Sequence, residues 1–412
     1  MRAIILSIGD ELTLGQVVDM NSAWLSGRLI GIGIPTLGHV TVPDDRDAIA
    51  RAFDEASRRC ELLVATGGLG PTKDDLTRQA LAQALGCALE LHAPSLERIE
   101  ELFRKRRWHM AESNLTQAMR PVLADVLENR WGTAPGLKAR LNGCAVYVLP
   151  GVPSEMKAMF DAHILPELGA GQDRVILTRT LATFGAGESA VGERLGGLMD
   201  RERNPKVGTT VSAGIVCIRV CSQFPSGAEA EQALEATVAE VRSRLGPLVF
   251  GEEDGTLQDA VVRLLLEKGA TLAVAESCTG GLLGRMLTDV PGSSACFNGG
   301  WIAYSNSMKE RELHVPSGLL QVHGAVSEPV ARAMAENAAL RSGSDYGLAI
   351  TGIAGPGGGS AEKPVGLVWI AMARASGETR AEEMNFSGDR AAVRDRAAKS
   401  ALNMLRMELL GS

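Results

Sequence analysis

The chain has 412 residues, a length for two or three domains, and its 45% hydrophobic and 22% charged residues describe ordinary globular material with ample core. A net charge of −7 argues against direct nucleic-acid binding, which usually needs a basic stripe, and no apolar stretch is long enough to span a bilayer. The seven cysteines form no CxxC pair and are odd in number, so they read as reduced, mostly buried residues of a cytoplasmic protein.

The first 168 residues alternate strand-like and helix-like patterns. "AIILSIG", "IPTLGHVTV", "CELLVATGG" and "CAVYVLPG" read as strands. "SAWLSGRLIGIG", "RDAIARAFDEASRR" and "SEMKAMFDAHILPEL" read as helices. Such alternation implies parallel pairing in a layered α/β domain, with ligands beyond the carboxyl ends of the strands. The loops "GDEL", "TGGLGPTKDD" and "LPGVPSEM" fall there. The basic run Arg104–Arg107 reads as a solvated helix end whose cations complement the dipole.

Carboxylates follow three of these strands: Asp10 and Glu11, Asp44 and Asp45, Asp74 and Asp75. Gathered at one crevice, they suit Mg²⁺-like cations bridging a pyrophosphate. Acidic residues before helices are also ordinary caps, and Asp44-Asp45 most simply cap "RDAIARAF". Asp10 and one of Asp74 and Asp75 are the better functional candidates.

From about 172 to 250 the order is βαββα, a small α+β module without a catalytic cluster. From about 256 the βα pattern returns and closes on the helix "RAAVRDRAAKSALNMLRMELL". "VGLVWIAMAR" and "ETRAEEMNFS" read as an antiparallel pair. The expected fold class is therefore two α/β layered domains with mainly parallel sheets, joined by the small module. Its boundaries are 1–170, 171–252 and 253–412.

"AESCTGG", Ala275 to Gly281, is a strand-to-helix turn that aims Ser277 and Thr279 at the crevice. Free N–H groups at Gly280-Gly281 can hold a phosphate or an oxyanion. A serine there needs a base. His314 and His323 read as surface or turn residues, whereas Lys309 follows the strand "GGWIAY". A lysine serves as base only when burial or nearby cations lower its pKa. Cys278 is the alternative nucleophile. The glycine-rich "TGIAGPGGG", Thr351 to Gly359, reads as a loop around a ligand.

Taken together, "AESCTGG", "YSNSMK", "GAVSEP", "TGIAGPGGG", "KPVG" and "GDR" resemble the nicotinamide mononucleotide deamidases over roughly 256–410. "GDEL", "DMNSAWL", "TGGLGPT", "WGTAPG" and "LPGVPSEM" resemble a molybdopterin-binding-like domain, and nearly the whole chain is similar to the CinA family. One departure is Arg130-Trp131 after Asn129, where the family tends to have Asn-Pro.

The resemblance implies a three-part enzyme of pyridine nucleotide salvage. Its C-terminal domain would deamidate nicotinamide mononucleotide without a cofactor. Ser277 would be the nucleophile, Lys309 the general base and acid, Tyr304 and Thr279 lining residues, and Gly280, Gly281, Thr351, Gly352 and Gly355 substrate contacts. Its N-terminal domain would cleave ADP-ribose to AMP and ribose 5-phosphate with a divalent cation (Mg, Co or Mn) and potassium. The metal ligands would be Asp10, Asp44 and Asp75. Substrate contacts would come from Asp10, Glu11, Thr66, Gly67, Gly68, Gly70, Asp74 and Asp75 on one side. Thr133, Gly136, Pro150, Gly151, Ser154 and Glu155 would supply the other. The alternatives are a domain that binds a pterin or nucleotide without hydrolysing it, and a regulatory partner in competence or DNA repair. A homodimer is the expected assembly.

Overall fold

The computed structural model describes residues 1–168 and 175–411, so the expected boundary at 170/171 lies outside the described residues. The chain parts into two compact units, Met1–Leu177 with Gln223–Glu231, and Thr178–Ser222 with Gln232–Ser412.

In the first unit, strands β1 (Ala3–Ile8), β2 (Thr36–Val42) and β3 (Leu62–Thr66) precede a short ribbon, β4 (Leu89–Leu91) with β5 (Met119–Pro121). Strands β6 (Asp125–Leu127), β7 (Gly136–Leu141) and β8 (Cys144–Leu149) follow, and the main sheet runs β2-β1-β3-β8-β7-β6. Its first four strands are parallel, while β7 and β6 add an antiparallel edge. The central strands are buried on both faces, with side chains alternating between them. Ile4 and Leu6 meet Ile49, Phe53 and Leu81 from helices Arg46–Ser57 and Thr77–Leu85. Ala3 and Ile5 meet Leu25, Leu29, Met156 and Phe160 on the other face. Asp19 caps the helix Met20–Gly31 through the Ser22 N–H at 2.9 Å, and Asp45 caps Arg46–Ser57.

In the second unit, β9 (Val175–Thr183, entering from Thr178), β10 (Lys206–Ser212), β11 (Ile215–Phe224) and β12 (Val249–Glu252) form a sheet in the order β10-β11-β9-β12. The strand β12 is an addition to the expected βαββα order. Its four residues are too short for a periodic signal and pair antiparallel with β9. Ala182 and Phe250 from this sheet, with Phe184 just past β9, join the apolar core of the domain that follows.

That domain holds β13 (Leu272–Glu276), β14 (Phe297–Ile302), β15 (Tyr346–Gly352), β16 (Leu367–Arg374) and β17 (Thr379–Asn385), ordered β14-β13-β15-β16-β17. The first three are parallel and the last two antiparallel, with β16 and β17 forming the expected antiparallel pair. One face packs Val261, Leu265, Leu402 and Leu405 from two helices. The other presents Ala275, Ala349, Ala371 and Ala373, small side chains that let helix Glu328–Ser342 sit close. The strand β13 ends at Glu276, directly before the serine turn.

Candidate active sites

At the end of β13 the Glu276 carboxylate, 1% exposed, folds under the turn. It accepts the N–H groups of Gly281 at 2.9 Å, Leu283 at 3.0 Å and Gly284 at 2.7 Å. The Gly280 N–H donates to the Ser277 carbonyl at 3.1 Å. The helix start expected to hold an anion is thus already occupied, which corrects the expected role of Gly280 and Gly281. Among the described residues the Thr279 N–H and its buried hydroxyl have no hydrogen-bond partner.

Ser277 is held by its N–H on the Ile350 carbonyl at 2.9 Å. Lys309 lies on the helix Asn306–Leu313, capped by Ser305, and is 1% exposed. Its Nζ sits 3.0 Å from Ser277 Oγ, 2.8 Å from the Ala303 carbonyl and 3.4 Å from the Tyr304 carbonyl. Burial lowers its pKa to about 8. Cys278 points instead into the core, and burial pushes its thiol up to about 11. Successive turn residues point apart, so only the serine meets the lysine.

Sequence reasoning passed over the side chains that hold this turn from outside. Arg394 donates to the Thr279 carbonyl at 2.6 and 3.2 Å. Arg390 donates to the exposed Tyr304 hydroxyl at 2.9 Å and to the Gly355 carbonyl at 2.8 Å. Lys363 donates to the His323 and Val326 carbonyls at 2.6 and 2.7 Å. The motifs "GDR" and "KPVG" contain Arg390 and Lys363 and were the available signal. Thr351 and Gly352 also have packing roles in the site. The Thr351 hydroxyl donates to the Ala325 carbonyl at 2.8 Å, and a Cβ on Gly352 would stand 2.7 Å from Val368. Gly355 has φ +79°, and a Cβ there would stand 2.6 Å from Val365.

In the first unit a cavity of about 440 Å³ opens at the carboxyl ends of β1, β3 and β8. Glu11, Asp44, Gly67, Gly68, Gly70, Asp74, Asp75, Thr133, Pro150, Gly151 and Glu155 line it. Gly67, at φ +110°, cannot carry a Cβ because that atom would lie 2.1 Å from the Ile8 carbonyl oxygen. Arg78 is buried behind the loop, donating to the Leu69 carbonyl at 2.6 Å and the Gly70 carbonyl at 3.3 Å. Burial lowers its pKa to about 10. Asn21 bridges the Thr66 hydroxyl and the Gly151 carbonyl at 3.4 and 2.8 Å. Asn129 accepts the N–H groups of Trp131 and Gly132, each at 2.9 Å, and donates to the Ala134 carbonyl and Glu155 at 2.9 and 2.7 Å. Such loop-building roles leave no pattern in a single sequence.

The expected metal trio is not assembled. Asp75 spends both oxygens inside its own loop, on Gly70 N–H at 2.7 Å and on the Thr72 N–H at 2.8 Å and hydroxyl. Asp10 and Asp44 exchange backbone N–H to carboxylate bonds of 3.0 and 3.1 Å. No group of three His, Cys, Asp or Glu side chains among the described residues is placed to hold a metal. Burial, then repulsion from Asp10, Glu11 and Asp74, raises the Asp44 pKa. Four expected contacts lie outside the lining, Asp10 and three more. Thr66 is buried on the Pro150 carbonyl, Ser154 is exposed, and Gly136 is a packing glycine whose Cβ would stand 2.8 Å from the Val148 oxygen. Arg130 pairs on the surface with Glu128 at 3.1 Å.

No helix among the described residues is long and apolar enough to cross a membrane. The probable molybdopterin binding domain model matches residues 4–170, the damage-inducible protein CinA KH domain 178–251, and the CinA C-terminal domain 254–409. A CinA-like protein of Dictyoglomus turgidum is 42% identical over 410 residues, covering 100% of both chains. Another, of Anaeromyxobacter sp., is 45% identical over 406 residues and covers 98% of each. The solved competence/damage inducible protein CihA of Agrobacterium tumefaciens is 41% identical, covering 37% of this chain and 93% of its own, with a TM-score of 0.37. With full-length relatives at this identity and three family domains in order, the chain belongs to the CinA family.

Proposed function

We propose that this protein is a bifunctional hydrolase of pyridine nucleotide salvage. The second unit deamidates nicotinamide mononucleotide, and the first cleaves ADP-ribose to AMP and ribose 5-phosphate. The observation that supports the deamidase best is the surroundings of Lys309 Nζ. A neutral amine has two hydrogens and one lone pair. As an ammonium, Nζ donates to Ser277 Oγ and to the Ala303 and Tyr304 carbonyls; once it has lost a proton, the two carbonyls keep its hydrogens and the lone pair is left for the Ser277 hydroxyl. Ser277 Oγ attacks the carboxamide carbon while its proton passes to Lys309. The unpartnered Thr279 N–H is positioned in the same turn as a donor for the oxyanion. Lys309 returns the proton to the departing ammonia, leaving an acyl ester. Water activated by the same lysine then hydrolyses it to the carboxylate and free serine.

For the first unit, carboxylates line the cavity but no three of them converge among the described residues, so a hard cation would take only one or two of them. Glu11, Asp44 and Asp74 offer carboxylate oxygens, and burial first, with repulsion from Asp10, Glu11 and Asp74 added to it, raises the Asp44 pKa. A divalent ion held there by one or two carboxylates would complete its shell with substrate phosphates and polarise them. The glycine loop supplies backbone close to those phosphates.

The test measures ammonia released from nicotinamide mononucleotide. Ser277→Ala and Lys309→Ala should each lose at least about 10³-fold in kcat; full activity in either sinks the pair. AMP release from ADP-ribose should survive both substitutions and disappear with a chelator. Binding without turnover by the unsubstituted protein favours the binding-module reading.

A further inference from the structure

Arg78 is the second residue of the helix Thr77–Leu85, is 2% exposed, and has no task in either reaction above. Among the described residues it joins no ion pair, and its Nε has no hydrogen-bond partner. Asp75 is near enough to favour its charge, but that carboxylate has its oxygens on Gly70 and Thr72. A buried charge that no carboxylate caps weakens a fold, so its presence asks for another reason.

The glycine loop is folded around this helix. The Gly67 carbonyl accepts the Thr77 hydroxyl at 2.9 Å, and the Gly68 carbonyl accepts the Thr77 N–H at 3.2 Å. The Leu69 and Gly70 carbonyls accept the Arg78 guanidinium at 2.6 and 3.3 Å. Four successive carbonyls therefore point back at the helix. In a trans peptide the N–H points opposite to the carbonyl, so the N–H groups of Gly68 and Leu69 point away from it. Neither has a hydrogen-bond partner among the described residues, and both residues line the cavity. The next N–H, of Gly70, is taken by Asp75.

We propose that Arg78 is a positioning residue of the first unit: its guanidinium holds the glycine loop with N–H groups outward and supplies, from behind the loop, the positive charge that lets an acidic cavity hold a diphosphate. This rests on the N-terminal reading above and names a residue that acts on the substrate only through the backbone.

Charge makes the argument. The cavity is lined by five carboxylates and no lysine or arginine, so an anion entering it meets repulsion first. Arg78 does not line the cavity, but only the loop separates it from the exposed N–H groups. A charge acting through buried protein is felt more strongly than one acting through water. Its hydrogen bonds to the loop carbonyls also polarise the peptides that carry those N–H groups. The planar fork of a guanidinium can hold two carbonyls at once. Although burial lowers its pKa to about 10, it stays charged at neutral pH.

The experiment uses the full chain with Arg78→Gln, which keeps donors toward the loop and drops the charge, and Arg78→Lys, which keeps the charge. Titration calorimetry follows two probes separately, inorganic pyrophosphate without metal and Mg²⁺ alone. In Arg78→Gln the dissociation constant of pyrophosphate should rise about tenfold and that of Mg²⁺ should fall, while in Arg78→Lys both stay within about threefold. A brace that carried no electrostatic role would not shift an anion and a cation in opposite directions. The proposal is overturned by an Mg²⁺ constant that does not fall, by an unchanged pyrophosphate constant, or by a loss in Arg78→Lys as large as in Arg78→Gln. If Arg78→Gln costs the first unit its thermal transition, Arg78→Lys decides alone: retained pyrophosphate affinity sustains the role and a tenfold loss ends it. If the unsubstituted protein does not hydrolyse ADP-ribose, the N-terminal activity falls, and the two probes still decide Arg78. No pyrophosphate binding by the unsubstituted protein removes the proposal.

Discussion

Lys309 carries a cost that is visible as pH dependence. Its folded pKa is about 8 against 10.5 for a free lysine, so between those values the folded chain holds fewer protons than the unfolded one. Stability therefore rises with pH through that window, and the penalty is fully present below it. Deamidase kcat/KM should climb with pH and level off above an inflection near 8, because only the neutral amine accepts the serine proton. Lys309→Met should abolish activity yet raise Tm at pH 7, as buried charges often weaken a fold that needs them for function. A lowered Tm in that variant would contradict the burial argument. Cys278→Ala should leave deamidation within a few-fold and cost about 1 kcal/mol in packing, measured by denaturant unfolding. The pairing of Ser277 with Lys309 was anticipated from the turn after β13 and from the motifs that resemble the deamidases, and the fold brings the two side chains together. The role of Glu276 was not, since its carboxylate looks like any turn acid until the backbone bends over it. Nor was that of Asp75, whose oxygens turn back into their own loop.

Among the elements, the loop from Asn129 to Pro135 depends on one side chain with four hydrogen bonds. Asn129→Ala strands two N–H groups and a carbonyl. It should cost about 2–3 kcal/mol in the first unit and reduce ADP-ribose cleavage while deamidation stays intact. Equal loss of both activities would mean global unfolding instead. Asp44→Asn removes part of the repulsion among Asp10, Glu11 and Asp74. It should raise Tm without metal and shrink the thermal shift caused by Mg²⁺, read by differential scanning fluorimetry. A raised carboxylate pKa loses stability as pH rises through it, so the gain belongs to pH above the Asp44 pKa. Long, periodic elements such as Arg46–Ser57 and Arg390–Leu410 were readable from pattern alone. Strand β12 was not, because pairing with a distant strand, not local propensity, makes it a strand.

At the scale of the molecule, the alternation of strands and helices announced two layered sheets, but not how each would finish. Both parallel cores carry antiparallel edges; the hairpin β16–β17 was readable from its two adjacent strand patterns, whereas the antiparallel pairing of β15 with β16 and of β6 with β7 was not. The middle module was legible as a βαββα run and illegible as part of a larger core. Phe250, 7% exposed, belongs to the same apolar cluster as Leu348 and Leu402. Phe250→Ala should therefore cost about 3 kcal/mol in the unfolding of the deamidase unit. An unfolding midpoint for that unit unchanged by the substitution would show the module to be energetically separate.

The grip of Arg394 on the Thr279 carbonyl spans 115 positions of sequence. The serine emerges from the ribosome well before the helix that steadies its turn. A nascent chain carrying Ser277 and Lys309 thus holds both reacting groups without their outer brace. The turn gains its outer brace only late in synthesis, once Arg390–Leu410 has been made.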